Sequence, residues 1–169
     1  MRRSELVYKG RIIKVYKDKM LLPSGAVSEF DVVRHPGAIL VVPLVSDSKV
    51  ILLRQFRPVI GGYLYELPAG TIERGESPLA CAKREIIEEA GFRAKKMTRL
   101  GEIYPVPGYS TEKIFIFKAQ GLKKAYAPGD KDEIIERIRC TKRQIRVLFE
   151  KGLIVDAKTI AGFALCGWL

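Results

Sequence analysis

Three glutamates near the middle of the chain have a spacing that could do chemistry. Glu85, Glu88 and Glu89 stand at i, i+3 and i+4, so a helix places them on one face. Each like-charge pair costs roughly a few tenths of a kcal/mol, and the negative end of the helix dipole disfavours such anions by about 0.3–1 kcal/mol each. A divalent cation such as Mg²⁺ or Mn²⁺ would make the arrangement favourable and recruit substrate phosphates. The alternative is a solvated acidic face paired with Lys83 or Arg84.

The flanking residues define the helix that carries these glutamates. Ser77 is a typical N-cap, and Pro78 suits the first helical position. Gly91 follows the last helical residue, as a C′ glycine does. The sequence therefore predicts a helix over residues 78–90, preceded by a loop that starts at Pro68.

The glutamates belong to a longer motif that spans residues 70–92. Its pattern is G-x5-E-x7-R-E-U-x-E-E-x-G-U, where U is a bulky apolar residue, and every position of this chain fits it. This is the Nudix box, so the chain resembles a Nudix hydrolase. Four further segments are similar to the ADP-ribose pyrophosphatase branch of that superfamily: LRQFRP at 53–58, YELPAG at 65–70, YPVPGYSTE at 104–112 and DAKTIA at 156–161.

The resemblance implies an activity and an assembly. We expect Mg²⁺-dependent hydrolysis of ADP-ribose to AMP and ribose 5-phosphate, with Mn²⁺ as a possible substitute, by a homodimer. Other nucleoside diphosphate sugars, such as GDP-mannose, are the alternative substrates. An RNA-directed Nudix enzyme is a weaker alternative, and a catalytically dead domain is disfavoured because each box carboxylate is present.

The resemblance also implies roles within the box. Glu85 and Glu89 would coordinate the metal together with the main-chain carbonyl of Ala69, and Glu88 would complete the cluster. Arg84 would orient these glutamates. The residues expected to be structural are Glu76, as the ion-pair partner of Arg84, and the two glycines Gly70 and Gly91.

The catalytic base is expected from a loop after the box. We favour Glu133, immediately before a predicted strand, and keep Asp132 and Glu136 as alternatives. The substrate contacts implied by the resemblance are Arg54, Arg57 and Glu112. A guanidinium suits phosphate oxygens because it offers two parallel donors.

The remaining elements predict an α/β fold. Short apolar runs between residues 5 and 33 indicate an N-terminal β meander. Strands are predicted over 38–45, 50–56, 63–67, 112–119 and 134–138, and helices after the caps Thr141 and Asp156. We therefore expect a Nudix-fold α/β/α sandwich with a mixed sheet. The resemblance implies that residues 1–34 form a dimerising extension and residues 35–169 the hydrolase domain.

Composition excludes several classes of protein. The 169 residues are 47% hydrophobic, which is too apolar for a disordered chain, and the longest apolar run is too short to cross a bilayer. The basic start lacks the apolar core of a secretory signal, and the three scattered cysteines indicate reduced thiols, so we expect a cytoplasmic protein. A net charge of +11 favours an anionic partner such as a nucleotide, a phosphate ester or a nucleic acid, and charge alone does not choose among these. Neither a membrane nor a nucleic acid is expected.

Overall fold

The computed structural model describes residues 2–129 and 133–169. Its strands are β1 (Arg2–Lys9), β2 (Lys14–Leu21), β3 (Val27–Arg34), β4 (Ala38–Ser46), β5 (Lys49–Arg57), β6 (Gly62–Glu66), β7 (Ala69–Thr71), β8 (Phe92–Ile103), β9 (Ile114–Lys124) and β10 (Ile135–Thr141). Its α-helices are α1 (Pro78–Glu85), α2 (Lys142–Glu150) and α3 (Ala157–Leu165), and a π-helical turn at Ile86–Ala90 extends α1.

Two sheets organise the chain. Strands β1, β2 and β3 form an antiparallel meander, as the sequence predicts. The larger sheet has the order β10-β5-β4-β9-β8, with β6 added to β5 and β7 added to β4. It is mixed because β4 and β9 run parallel, whereas the other pairs are antiparallel.

The core lies on both faces of the larger sheet. Alternate residues of β4 point to opposite sides, so Leu40 and Val42 pack towards α2 and α3, whereas Ile39 and Val41 pack towards α1. All four are fully buried. The structure therefore confirms the α/β/α sandwich with a mixed sheet and an N-terminal meander.

Hydrogen bonds join the meander to the loop before β9. Val33 of β3 donates its N–H to the carbonyl of Tyr109, and Thr111 donates its own to the carbonyl of Val33. Within the meander, Asp18 of β2 is buried, and both of its carboxylate oxygens accept hydrogen bonds from Arg34 Nη2, at 3.1 and 3.0 Å. None of the helices described is both long and apolar enough to cross a membrane.

Three local features differ in detail from the sequence prediction. The helix predicted over 78–90 has these bounds, but it is α-helical only to Glu85 and its last five residues form the π-helical turn. The loop predicted from Pro68 instead contains β7, which pairs with the buried strand β4. Strand β8 was not predicted, because its exposed basic residues conceal any apolar alternation and its order comes from pairing with β9.

Candidate active site

The capped helix α1 and the π-helical turn that extends it bring the acidic residues together. The Ser77 hydroxyl accepts a hydrogen bond from the Ala80 N–H at 3.2 Å, and Gly91 ends the π-helical turn with a φ of 77°. Burial increases from Glu88 to Glu85 to Glu89, whose exposed fraction is only 2%. The last turn therefore presents one carboxylate towards solvent and keeps another beneath the surface.

Arg84 lies between three carboxylates. Its Nη1 donates to Glu85 Oε1 at 2.6 Å and to Glu88 Oε2 at 2.9 Å. Its Nε and Nη2 donate to the two oxygens of Glu76 at 3.1 and 3.0 Å. One guanidinium carries one positive charge, so it holds the three side chains in place without neutralising all of them.

Glu89 is tied to the β7 segment. Its Oε2 accepts a hydrogen bond from the Ala69 N–H at 2.8 Å. Burial raises the pKa of Glu89 to about 8, although the Ala69 hydrogen bond opposes the shift. Burial likewise raises the pKa of Glu85 to about 7, against the attraction of Arg84. Both carboxylates therefore lie where additional positive charge would be favourable.

A cavity of about 670 Å³ opens beside these residues. Many of the residues that the sequence singles out line it: Arg57, Ala69, Gly70, Arg84, Glu85, Glu88 and Glu133. Glu89 lies beneath this wall, hydrogen-bonded to Ala69. A cavity of this size accommodates a ligand as large as a nucleotide sugar.

The three candidates for the base are placed differently. Glu133 lines the cavity, and its charge adds to the effect of burial in raising the pKa of both Glu85 and Glu89. Glu136 lies on β10, where its carboxylate is 3.5 Å from Arg54. Asp132 lies outside the described residues.

Two of the expected substrate contacts are not part of the described cavity wall. The Arg54 guanidinium lies over the Tyr63 ring, 4.0 Å from its centre. Glu112 Oε1 is 3.9 Å from His35 Nδ1, at the start of the connection into β9. Arg57, in contrast, lines the cavity and donates to Glu66 through two hydrogen bonds of 2.7 Å.

The donor atoms at the cavity suit a hard divalent cation. Carboxylate oxygens are the ligands that Mg²⁺ and Mn²⁺ prefer. Glu85 and Glu89 are buried, and the single charge of Arg84, which donates to Glu85, does not neutralise both of them. Among residues 2–129 and 133–169, no three acidic, histidine or cysteine side chains are already arranged to hold a metal ion. The carboxylates therefore fit a divalent cation by charge and by donor type. Some of the oxygens that would bind it now accept hydrogen bonds from Arg84 and from the Ala69 N–H.

Several residues at the site carried no expectation from the sequence. Arg137 of β10 donates its Nε to the carbonyl of Glu89 and its Nη2 to that of Glu88, the latter at 2.9 Å. Arg11 and Ile12, from the turn between β1 and β2, line the cavity. Glu66 and Lys158 also carried no expectation. Their place in segments that resemble the ADP-ribose branch was the one feature of the sequence that could have pointed to them.

The chain is similar in sequence to known proteins. A family model described as NUDIX domain matches residues 34–163. ADP-ribose pyrophosphatase of Bacillus subtilis (strain 168) is 35% identical over 157 residues, covering 92% of this chain and 85% of that protein. GDP-mannose pyrophosphatase of Yersinia pestis (strain Pestoides F) is 33% identical over 136 residues, covering 75% and 68%.

A solved structure shares the fold. The crystal structure of an ADP compounds hydrolase superposes with a TM-score of 0.83 at 26% sequence identity. The match covers 96% of this chain and 89% of the other. It therefore includes the N-terminal meander as well as the larger sheet.

Proposed function

The chain belongs to the Nudix family and is a Nudix pyrophosphohydrolase, and from that premise we propose that it hydrolyses ADP-ribose to AMP and ribose 5-phosphate with Mg²⁺. The observation that carries the proposal is the cavity in which Glu85, Glu88 and Glu133 share one wall with Arg57. A carboxylate wall suits a metal-bound diphosphate, and a guanidinium suits the phosphate oxygens.

The residues of the box would hold the ion. The proposed ligands are Glu85, Glu88, Glu89 and the main-chain carbonyl of Ala69. Mn²⁺ could replace Mg²⁺ at this site. When bound, the ion supplies Lewis-acid stabilisation of the diphosphate and lowers the pKa of a water molecule. Arg84 would keep Glu85 and Glu88 oriented through the hydrogen bonds that it donates to them now.

Glu133 is the proposed general base. A water oxygen attacks one phosphorus, the bond from that phosphorus to the bridging oxygen breaks, and the water proton passes to the Glu133 carboxylate. The bridging oxygen leaves as part of the second phosphate product. The position of Glu133 on the cavity wall supports this role, because a base must reach the attacking water.

Arg57 is the substrate contact that the geometry favours, because it lies on the cavity wall. Arg54 and Glu112 lie outside the described wall, so their contact with phosphate or ribose stays a prediction. Gly70 and Gly91 are proposed to be structural, together with Glu76, whose carboxylate is already held by Arg84.

A second candidate function is hydrolysis of another nucleoside diphosphate sugar. The GDP-mannose pyrophosphatase relative, at 33% identity, favours it. Both functions use the same diphosphate chemistry, so the metal face does not distinguish them. Steady-state rates with ADP-ribose, other ADP-sugars and GDP-mannose would do so, and a large preference for the GDP-sugar would overturn the ADP-ribose assignment.

We also propose that the N-terminal extension mediates a homodimer. The meander exposes large apolar side chains, with exposed fractions of 69% at Val27, 57% at Leu21 and 58% at Tyr8. Exposed apolar area of this kind favours association with a second surface.

The experiment that tests the proposal measures ADP-ribose hydrolysis with and without Mg²⁺, with AMP and ribose 5-phosphate resolved as products. Parent and Glu89→Gln are compared, and Glu102→Gln is the matched control because Glu102 belongs to a surface ion pair with Lys113. We expect metal-dependent turnover that falls by about 100-fold or more in Glu89→Gln. No turnover of ADP-ribose by the parent would overturn the proposed substrate.

A further inference from the structure

A cluster of charged side chains surrounds the buried Glu66 and reaches the cavity through Arg57. Glu66, at the end of β6, is 1% exposed. Its Oε1 accepts from Arg57 Nε at 2.7 Å, and its Oε2 accepts from Arg57 Nη2 at 2.7 Å. The same Oε2 also accepts a hydrogen bond from the ammonium group of Lys158. One carboxylate therefore pairs with cations from β5 and from α3.

The position of Lys158 is unfavourable for a cation in isolation. It lies in the first turn of α3, where the helix dipole disfavours positive charge. Asp156, the N-cap of that helix, accepts from Lys158 Nζ at 2.8 Å and so offsets part of this cost. The Glu66 carboxylate supplies the second anionic contact, and the two carboxylates together stabilise the charged form of Lys158 at the start of the helix.

The first turn of α3 also holds the backbone next to Glu66. The buried Thr159 hydroxyl accepts a hydrogen bond from the Leu67 N–H at 2.9 Å. Leu67 directly precedes the segment that leads to Ala69 and Gly70 in β7. The start of α3 therefore fixes the strand end from which both the β7 segment and the Glu66 side chain depart.

Arg57 connects this cluster to the cavity. Of the three ionic partners, Arg57 lines the cavity, whereas Glu66 is buried and neither Glu66 nor Lys158 is among the described lining residues. Glu66 uses the Nε and Nη2 donors of Arg57, and the side chain of Arg57 is still 36% exposed. The pair with Glu66 thus uses the Nε and Nη2 edge of the guanidinium, and its Nη1 group is still able to donate to a ligand in the cavity that Arg57 lines.

We propose that Glu66 and Lys158 are positioning residues that hold Arg57 in the orientation in which it binds the substrate phosphates. The inference rests on the proposed function, in which a diphosphate occupies this cavity. A two-pronged hydrogen bond defines the plane of a guanidinium, and Lys158 keeps the Glu66 carboxylate in place. The DAKTIA and YELPAG segments thereby act on one arginine, although they are far apart in the chain.

A double-mutant cycle tests the coupling. Glu66→Gln, Arg57→Ala and the double variant are compared with the parent in kcat and KM, using whichever nucleotide sugar the parent hydrolyses fastest. We expect Glu66→Gln to lower kcat/KM by about tenfold through KM in the parent background, but by less than about twofold when Arg57 is already alanine. A similar loss in both backgrounds overturns the inference.

Lysine variants keep the test valid if Glu66→Gln folds poorly. We expect Lys158→Met to raise KM, Lys158→Arg to restore it towards the parent value, and Glu102→Gln to leave both constants unchanged. A failure of the arginine to restore KM while both variants remain folded by circular dichroism also overturns the inference. A parent that prefers a GDP-sugar overturns the proposed substrate instead, and the cycle is then measured on that sugar.

Discussion

The side chain of Glu85 fills the space that a side chain at Gly70 would need. A Cβ atom added to Gly70 would lie 1.8 Å from Glu85 Oε1 and 2.1 Å from its Cδ, far inside any van der Waals contact. The backbone of Gly70 does not have a positive φ, so a side chain is excluded by lack of room. The absent side chain on β7 is what allows the Glu85 carboxylate to cross over this strand.

We therefore expect Gly70→Ala to displace Glu85 and lower kcat by about 100-fold or more, because a shift of about 1 Å at a catalytic centre has effects of this size. Gly62→Ala is the matched control, since a Cβ there meets no atom within 4 Å and its φ is not positive. Turnover of ADP-ribose and thermal melts of both variants are the measurements. Turnover of Gly70→Ala equal to that of Gly62→Ala would contradict the role of this glycine.

Arg137→Met should loosen the end of the acidic helix. Arg137 donates to the carbonyls of Glu88 and Glu89, where a cation also offsets the helix dipole. We expect a loss of about 1 kcal/mol in the free energy of unfolding, because the side chain is largely exposed, and a higher Mg²⁺ concentration for half-maximal turnover.

Arg139→Met, on the same strand, is the control for Arg137→Met. Urea unfolding and Mg²⁺ titration of the turnover rate measure the two effects. Equal behaviour of the two variants would show that the carbonyl contacts of Arg137 do not matter.

Acid should weaken the contribution of Glu66 to stability. Burial alone would raise its pKa, but the hydrogen bonds from Arg57 and Lys158 outweigh burial and hold the pKa below its usual 4.5. The ionised form is therefore stabilised by folding, and this stabilisation is present above the unfolded pKa and lost as the pH falls towards the folded pKa.

We expect the difference in the free energy of unfolding between the parent and Glu66→Gln to be largest near about pH 7 and to shrink towards about pH 3. Urea titrations across this range measure it. Glu102→Gln provides the contrast, because Glu102 is also paired with Lys113 but is more exposed and therefore screened by salt. A difference for Glu66→Gln that grows on acidification would contradict the assignment.

The three thiols should react at different rates. Burial raises the pKa of Cys81 to about 12, and that of Cys140 above its usual value. Partial burial also raises the pKa of Cys166, but this thiol is partly exposed, whereas the other two are buried. We expect a thiol-specific disulfide reagent at about pH 8 to modify Cys166 in the native protein and the other two only after denaturation, because the thiolate is the reactive form. Peptide mapping identifies the modified thiol, and rapid labelling of Cys81 would contradict its burial.

Association through the meander should depend on its apolar face. If residues 1–34 mediate a dimer, light scattering after gel filtration will give twice the mass of the chain. Val27→Glu should shift this mass towards the monomer because it places a charge on a side chain that is 69% exposed in the single chain. Val59→Glu makes the same exchange at a turn residue that is 98% exposed. A parent that elutes as a monomer would overturn the proposed dimer.

The sequence by itself determined the features that depend on neighbours a few residues apart. Ser77, Pro78 and Gly91 set the ends of the acidic helix, because caps act on backbone groups within one turn. The box spacing brought the glutamates and Arg84 to a common region, and apolar runs located most strands. Thr141 and Asp156 cap α2 and α3 as expected, with hydrogen bonds to Gln144 and Thr159.

The tertiary structure decided what depends on partners distant in the chain. Strand β8 exists through its pairing with β9, and the contact between Glu89 and Ala69 requires β7 to lie beside the helix. The contact between Glu66 and Lys158 is likewise not predictable from the sequence, because the two residues meet only when the start of α3 lies beside the end of β6. Such contacts depend on which elements pack together, and short-range spacing carries no information about that choice.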